Sequence, residues 1–280
     1  MTSVTPLTPA VAHHGEGPIW DHDGQALLWV DMLAGDVLRR DAQGQITRHH
    51  IAPAVAALRP RRDGGWVVAT GHGFTLLDDA LEEEGARVTV LMPVDVRMND
   101  GGCDPLGRFF CGTMATEATA HLYRLDPDMT VHTVLSGVTI SNGLGWSPDG
   151  AHAYYIDSQT QRIDTFDVTS EGALVDRRPL VAIPASVGTP DGLTVAADGG
   201  LWVALWGGGA VHHYNAAGTL QDIIEVPVRQ VTACTFGGPD LQTLHITTSR
   251  KDLEDPEPLA GAVFTCRPGA TGLPAATFNG

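Results

Sequence analysis

The chain has 280 residues, of which 43% are hydrophobic, and its formal net charge is −16 at pH 7. The length and composition predict one globular domain over residues 1–280, with a sizeable core. The acidic balance argues against nucleic acid and anionic membranes as partners, because both require clustered lysine and arginine. Since no apolar run could span a bilayer and residues 1–17 do not resemble a signal peptide, we predict a cytoplasmic protein.

A turn followed by a short apolar strand recurs six times along the chain. The units are 23-DGQALLWVD-31, 63-DGGWVVAT-70, 107-GRFFCGT-113, 149-DGAHAYYID-157, 198-DGGLWVAL-205 and 240-DLQTLHITT-248. Each is followed by a second, alternating strand, from 35-GDVLRRD-41 in the first unit to 261-GAVFTCR-267 in the last. About four short strands per unit, repeated every forty to fifty residues or so, are typical of a propeller. The sequence therefore predicts an all-β, six-bladed β-propeller.

Two further predictions concern the N-terminus and an acidic stretch. Because a propeller must close its ring, the N-terminal segment is predicted to add a strand to the last blade. The stretch 79-DALEEEGARV-88 is the only candidate for a helix, and we predict that it is a solvated loop instead.

Asn142 interrupts an apolar pattern at the start of a predicted strand, in 141-SNGLGWSPDGAHAYYIDS-158. It lies eight positions before the turn residue Gly150. The same offset in the other units leads to Glu16, Ala56, Asn99, Asp191 and Thr232. Equivalent positions in a propeller surround its central axis, so these side chains are predicted to converge near one mouth of the channel. Four of the six offer a carboxylate or amide oxygen.

This convergence of oxygen atoms predicts a metal site. Two carboxylates and two amides facing one another would be costly if they were dry and unpaired. A divalent ion removes that cost, and Ca²⁺, Mg²⁺, Mn²⁺, Zn²⁺ and Fe²⁺ are all candidates. The alternative is that these residues cap strand ends or hold water in the channel.

Arg97 lies two residues before Asn99 and is expected on the same side of its strand. Beside a metal site it could hold a substrate oxygen through two hydrogen bonds. The other interpretation is a salt bridge to Asp95 or Asp100.

At these residues the sequence resembles the senescence-marker-protein/gluconolactonase family, which includes regucalcin and the bacterial sugar lactonases. The matching motifs, in family order, are 15-GEGPIWD-21, 97-RMNDGGCDPLGRFFCGTM-114, 140-ISNGLGWSPDG-150, 190-PDGLTVAADGGLWVALWGGG-209 and 236-FGGPDLQTLHITTSR-250. The resemblance implies a six-bladed propeller and metal-dependent hydrolysis of a sugar lactone, such as xylono-, arabinono-, galactono- or gluconolactone.

The resemblance also implies roles for particular residues. Glu16, Asn142 and Asp191 would be the metal ligands, Asp191 would also be the catalytic base, and Arg97 and Asn99 would bind substrate. Regucalcin-like members carry a substrate-contacting glutamate on a longer loop after the GTM segment. Here that loop is short, in 112-GTMATEATAHLYRL-125, and Glu117 is the only candidate for the role.

Several alternatives remain open from the sequence. The protein could be a calcium-binding regulator without turnover, although a substrate-orienting Arg97 counts against this. It could be an interaction propeller of the WD-repeat kind, although the convergent carboxylates count against that. An ester or organophosphate hydrolase on the same fold is equally compatible. Asp191 could be the base or could only orient a metal-activated water, since a cation lowers the pKa of a bound carboxylate. A closed ring predicts a monomer.

The remaining polar and aromatic residues receive structural interpretations. His13 and His14 are predicted to form a strand end rather than extend the metal shell. Asp31 and Asp157 close matching strands and are predicted to cap turns. Trp206 could line the pocket, whereas the other tryptophans are expected to pack between blades. The cysteines show no CxxC spacing and are predicted to be buried free thiols: Cys103, Cys111, Cys234 and Cys266.

Overall fold

The computed structural model describes residues 2–90 and 92–280. These residues form six antiparallel sheets of four strands each, and the first strands of neighbouring sheets contact one another around a ring. This confirms the predicted six-bladed β-propeller. The only helical segments in the described part of the chain are two 3-10 turns, Ser158–Thr160 and Ala185–Val187. No helix found there is long and apolar enough to cross a membrane.

Strands are numbered in chain order, and each blade runs outward from the channel. The first strands are β2 (Gly15–Asp21), β6 (Val55–Pro60), β10 (Arg97–Cys103), β14 (Ser141–Trp146), β18 (Thr189–Val195) and β22 (Val231–Gly237). The second strands are β3 (Ala26–Asp31), β7 (Trp66–Thr70), β11 (Phe109–Met114), β15 (His152–Asp157), β19 (Leu201–Trp206) and β23 (Thr243–Thr248). The third strands are β4 (Asp36–Arg40), β8 (Gly73–Leu77), β12 (Ala120–Leu125), β16 (Arg162–Val168), β20 (Ala210–Tyr214) and β24 (Val263–Cys266). The outer strands are β5 (Ile46–His50), β9 (Glu83–Thr89), β13 (Val131–Val138), β17 (Leu174–Ala182), β21 (Leu220–Glu225) and β1 (Thr5–Pro6).

The two ends of the chain hold the ring together. β1 pairs with β24, with Thr5 opposite Thr265, so the N-terminal segment completes the sixth blade as predicted. The C-terminal segment crosses the channel end at which the first strands finish. There Gly272 bridges to Ala196, and the fully buried Phe278 bridges to Arg61. One channel end is therefore covered by chain, and the other carries the site described below.

The burial of each strand explains whether the sequence pattern predicted it. All residues of β3 and β7 are buried, because the second strands lie between blades on both faces. In contrast, β9 is almost wholly exposed at the outer edge of its blade. The prediction of a solvated loop over residues 79–88 was wrong, since β9 begins at Glu83 and pairs with β8. An exposed outer strand needs no apolar alternation, so its acidic sequence concealed it.

Candidate active site

A β-bulge interrupts the first strand of every blade near the position predicted to face the axis. In blade one the register shifts between Glu16 and Ile19, and in blade four it shifts between Ser141 and Leu144. The other four blades show the same irregularity. A bulge inserts an extra residue and redirects the side chains around it. The repeated bulge therefore gives the six equivalent positions a common local backbone.

Glycine follows three of the four oxygen-bearing residues, in the pairs Glu16-Gly17, Asn142-Gly143 and Asp191-Gly192. A Cβ atom on Gly143 would lie 2.7 Å from the backbone nitrogen of Leu193, and one on Gly192 would lie 2.5 Å from the Cβ of Ala233. The inner strands of neighbouring blades thus approach too closely for a side chain at these positions. These residue-glycine pairs are a sequence signal that the repeat comparison did not use.

The structure brings the four oxygen-bearing residues to one cavity of about 190 Å³ at the open end of the channel. Trp206 also lines this cavity, as the sequence suggested. The residues that line it from the predicted set are Glu16, Arg97, Asn99, Asn142 and Asp191. The two small members of the ring, Ala56 and Thr232, are not among its lining residues. The predicted roles of the lining residues stay predictions at this point.

Two buried carboxylates face this cavity. Glu16 and Asp191 are 5% and 6% exposed, and neither has a salt-bridge partner among residues 2–90 and 92–280. Burial, with the nearby Asp100 carboxyl, raises the pKa of Glu16 to about 8. Burial, with Glu16 as the next cause, raises the pKa of Asp191 well above its usual range. Like charges held this close out of water favour either protonation or a bound cation.

The two asparagines belong to a hydrogen-bond chain that links blades three, four and five. The Asn99 Nδ2 donates to the Ser141 carbonyl at 2.8 Å and to the Asn142 Oδ1 at 3.2 Å. The Asn142 Nδ2 donates to the Ser158 Oγ at 2.9 Å, and that hydroxyl donates to the Pro190 carbonyl at 2.7 Å. These contacts fix the orientation of both amides, and Ser158 is a site residue that sequence analysis missed.

Arg97 lies at the start of β10 with its guanidinium beside Asn99. Its Nη1 donates to the Asn99 Oδ1 at 3.0 Å and to the Met98 carbonyl at 2.9 Å. In the described chain it forms no salt bridge with Asp95 or Asp100, the alternative considered from sequence. Burial lowers the pKa of Arg97, and the Glu16 carboxyl opposes that shift. The geometry leaves a guanidinium next to the two unpaired carboxylates.

His14 is closer to the site than its interpretation as a strand end implied. It is 5% exposed, lines the same cavity, and bridges to Ser249 of blade six. Its Nδ1 lies 2.9 Å from the Ser249 Oγ. Burial, together with the charge of Arg97, lowers the pKa of His14 to about 3, so its imidazole is neutral.

Asp31 and Asp157 were predicted to cap turns, but their carboxylates instead cap the start of the first strands. Asp31 accepts hydrogen bonds from the backbone nitrogens of His13 and His14, both at 3.0 Å. Asp157 does the same for residues 139 and 140, also at 3.0 Å. Both caps come from the end of a second strand, so the site-bearing segments of blades one and four begin at fixed points.

Glu117 is exposed in the short loop between β11 and β12 and does not line the cavity. Its role as a substrate-binding residue therefore stays a prediction. On this side the site instead opens into a chamber of about 490 Å³ between blades two and three. Arg97 and Met114 line both spaces, and Ala54 and Gly71 lie on the far wall of the chamber. Because the loop is short, the cavity is not closed on this side and adjoins the chamber.

Comparison with known proteins places this arrangement in a family. A family model described as "SMP-30/Gluconolactonase/LRE-like region" matches residues 14–250. The chain belongs to this family. It is 36% identical to the pentonolactonase XacC of Haloferax volcanii over 97% of both chains. It is 35% identical to regucalcin of Bos taurus, covering 96% of this chain and 95% of that protein.

A solved structure shows the same fold. The structure described as a calcium-binding protein, regucalcin, from Agrobacterium tumefaciens superposes with a TM-score of 0.90 at 27% identity. The match covers 99% of this chain and 97% of the other. The four cysteines of this chain are free and buried, as the sequence predicted.

Proposed function

We propose that this protein hydrolyses a sugar lactone to the corresponding sugar acid, with one divalent cation bound at the open end of the channel. The observation that carries the proposal is the pair of buried, unpaired carboxylates Glu16 and Asp191 beside two fixed amides. Relatives named pentonolactonase and regucalcin, at 36% and 35% identity, support the same reading. Ca²⁺, Mg²⁺, Mn²⁺, Zn²⁺ and Fe²⁺ all accept this donor set to different degrees.

Glu16, Asn142 and Asp191 would hold the cation. All three offer oxygen atoms as ligands. The pKa values of both carboxyls are raised because their negative charges are buried without a compensating positive charge, and a divalent ion would supply one. The Asn142 Nδ2 donates to Ser158, and the Asn142 Oδ1, which accepts a hydrogen bond from Asn99 at 3.2 Å, keeps a second lone pair for an ion. When bound, such an ion acts as a Lewis acid on the carbonyl of the lactone.

The side chains around the cavity would transfer the proton and hold the substrate. Asp191 accepts a proton from water as the water oxygen bonds to the carbonyl carbon. When the bond from that carbon to the ring oxygen breaks, Asp191 returns the proton to the ring oxygen, which becomes a hydroxyl. Arg97 and Asn99 hold the sugar hydroxyls, which lowers the entropic part of the barrier. The products are one sugar acid and no other fragment.

The size of the cavity suggests which lactones to test first. At about 190 Å³ it is smaller than the roughly 300–1,000 Å³ typical of pockets for drug-sized ligands. A single five- or six-membered ring suits that space, and the relative XacC is named for five-carbon lactones. We therefore expect xylono- and arabinonolactone to be turned over at least as well as galactono- and gluconolactone. Glu117 is kept as a candidate contact to substituents that extend toward its loop.

Acid release in a pH-indicator assay tests the proposal. Fresh lactones are offered to chelator-treated protein, which is then supplied with each divalent ion singly, and Asp191→Ala is the matched variant. Turnover that depends on the ion, exceeds spontaneous hydrolysis and disappears in the variant supports the proposal. Absence of turnover with every lactone and every ion contradicts it.

A second candidate is a calcium-binding protein without turnover. The Agrobacterium relative is described as calcium-binding, and Glu16, Asn142 and Asp191 bring oxygen atoms to the cavity. Arg97 beside Asn99 favours the enzyme, because ion storage needs no guanidinium at the site. Tight calcium binding by calorimetry, combined with no turnover of lactones or simple aryl esters, would favour this second candidate.

A further inference from the structure

The chain contains a single lysine, and it lies at the candidate active site. Lysine and arginine together number 17, of which sixteen are arginines and one is Lys251. Lys251 lines the same cavity of about 190 Å³ as Glu16, Asn142 and Asp191. Sequence analysis missed it, because the segment between β23 and β24 is much longer than the equivalent connections in the other blades and lies outside the repeated strands.

Arginine and lysine differ in ways that matter in a small cavity. A guanidinium is planar and carries five donors in a fixed fork, whereas an ammonium is a compact charge on a flexible stem. Arg97 already places one guanidinium at the cavity. At the other basic positions this chain uses arginine, so its one ammonium occurs at a cavity that already holds a guanidinium.

The backbone at Lys251 is held against blade one. The Lys251 nitrogen donates to the Ser249 Oγ at 2.9 Å, and the same oxygen lies 2.9 Å from the His14 Nδ1. The next contact is equally firm, since the Arg250 nitrogen donates to the His13 carbonyl at 3.0 Å. The backbone of Lys251 is therefore held in place two residues after Ser249, the residue that contacts His14 in the cavity wall.

The head of the side chain, in contrast, is loosely engaged. In the described chain the only salt-bridge partner of the Lys251 ammonium is Asp252, the next residue, whose carboxylate is 66% exposed. Exposed ion pairs contribute about 0–1 kcal/mol, so this contact is easily exchanged for another. The Lys251 side chain is 31% exposed and can reach a ligand in the cavity without unfolding anything.

Lys251 and Arg97 come from opposite blades of the ring, six and three, and both line the cavity. With a cation neutralising Glu16 and Asp191, the two side chains would leave positive charge on both sides of a bound ligand. We infer that Lys251 is a substrate-contacting residue that exchanges Asp252 for the oxygen atoms of the sugar lactone and for the carboxylate of the sugar acid product. This inference rests on the proposed lactonase function.

A single lysine makes the contact directly measurable. An amine-selective reagent, such as formaldehyde with a mild borohydride, can modify only Lys251 and the α-amino group of the purified chain. Peptide mass spectrometry follows both rates in one sample, so the α-amino group is an internal control. Xylonate or arabinonate, the unreactive product, is added at increasing concentration with Ca²⁺ or Mn²⁺ present. We expect the sugar acid to slow modification of Lys251 at least five-fold or so and to leave the α-amino rate unchanged, as for an ammonium engaged in charge-assisted hydrogen bonds.

Kinetics with three variants provide the second readout. Lys251→Met is expected to raise KM for the sugar lactone about ten-fold, with kcat changed much less, since a hydrogen bond to a charged group is lost. Lys251→Arg keeps the charge and should fall between wild type and Lys251→Met. Arg229→Met is the matched control, because it removes a surface cation paired with Glu257 outside the cavity.

The outcomes separate this inference from the function on which it rests. If lactones are hydrolysed while Lys251→Met keeps its KM and the sugar acid does not slow modification, the role of Lys251 is refuted and the function stands. If no lactone is hydrolysed, the function fails, and the modification rate alone decides whether Lys251 contacts sugar acids. Slowed modification supports the contact, and an unchanged rate overturns it.

Discussion

Six equivalent positions surround the channel, but only four of them form the candidate site. Glu16, Asn99, Asn142 and Asp191 line the cavity, whereas Ala56 and Thr232 do not. The backbone bulge is present in all six blades, so it does not account for the difference. Thr232 instead turns its hydroxyl to the Gly15 carbonyl at 2.6 Å and to Thr247 Oγ1 at 2.9 Å. The six blades therefore share a backbone but differ in the side chain at this one position, and only four of these side chains reach the cavity.

The arrangement of the four also differs from the symmetry of the ring. Blades three, four and five are adjacent and share the hydrogen-bond chain through Asn99, Asn142 and Ser158. Glu16 comes from blade one and is separated from them by the positions of Ala56 and Thr232. A cation at the centre would thus be approached from two sides, which leaves room between them for a ligand.

Removing the charge of Asp191 should produce the largest effect. For Asp191→Asn we expect kcat/KM to fall at least about 10³-fold, as the loss of a general base alone removes 10² to 10⁴. Because burial and the Glu16 carboxyl raise the pKa of Asp191 itself, its charged form is unfavourable without a cation, and the cation-free variant should melt at a higher temperature than wild type. Steady-state kinetics and thermal melting with chelator check both. Activity within ten-fold of wild type would remove Asp191 from the mechanism.

The residue after each ring position offers a second test. Glycine follows Glu16, Asn142 and Asp191, whereas alanine follows both Ala56 and Thr232. Gly192→Ala would bring two Cβ atoms to 2.5 Å, and we expect a loss of about 1–3 kcal/mol in the free energy of unfolding, as for other overpacked sites. Urea denaturation measures it. Equal stability of the variant and wild type would show that the inner strands can move apart.

A matched glycine serves as the control for that substitution. A Cβ on Gly71 would meet only the Cβ of Ala54, at 3.4 Å, and Gly71 lies on the wall of the adjoining chamber. Gly71→Ala is therefore expected to change stability by no more than about 0.5 kcal/mol, as for substitutions without a specific clash.

The sequence alone predicted the fold and most of the ring for one physical reason. In a propeller, residues at the same offset in each repeat occupy equivalent positions around the central axis. Aligning the repeats therefore predicts which residues meet at the site. Asn142, which breaks an apolar strand pattern, is explained by that alignment. The matching positions of Asp31 and Asp157 at strand ends came from the same units.

What the sequence did not predict lies outside the repeat. His14 enters the site through a contact with Ser249, 235 residues away, and no local pattern encodes such a pairing. Ser158 and Lys251 lie just beyond the ends of strands, in segments that differ from blade to blade. β9 was missed because an exposed outer strand needs no apolar face. Positions set by the ring were predictable, and positions set by connections were not.

The buried carboxylates also predict a dependence of stability on pH in the absence of a cation. The pKa of Glu16 is raised to about 8 in the folded protein, above its ordinary value of 4.5, so folding favours the protonated form. Its stabilising contribution is complete below the unfolded pKa and is lost as pH rises toward 8. We therefore expect the Tm of chelator-treated protein to decrease from pH 5 to 8, a window that follows from those two pKa values.

A bound cation should reverse that trend. Because it requires the ionised carboxylates, the increase in Tm on adding Ca²⁺ or Mn²⁺ should grow over the same pH range. Glu16→Gln is the control, since it removes one of the two carboxyls with a raised pKa and should weaken the pH dependence without cation, leaving the contribution of Asp191. A wild-type Tm that rises with pH under chelation would show that Glu16 is not held protonated in the fold.

The smallest effect is expected at the ring position that the site does not use. Thr232→Val keeps the shape of the side chain and removes the hydroxyl that donates to the Gly15 carbonyl. Leaving a buried carbonyl unpaired costs about 1–3 kcal/mol, and a loss of that size in the free energy of unfolding is expected here. Urea denaturation should show this loss, while kcat/KM and cation affinity stay within about two-fold, as for a residue with no contact to the ligand. Loss of cation binding in Thr232→Val, of the size seen in Asp191→Asn, would mean that the ring acts as one unit and that its chemistry cannot be assigned blade by blade.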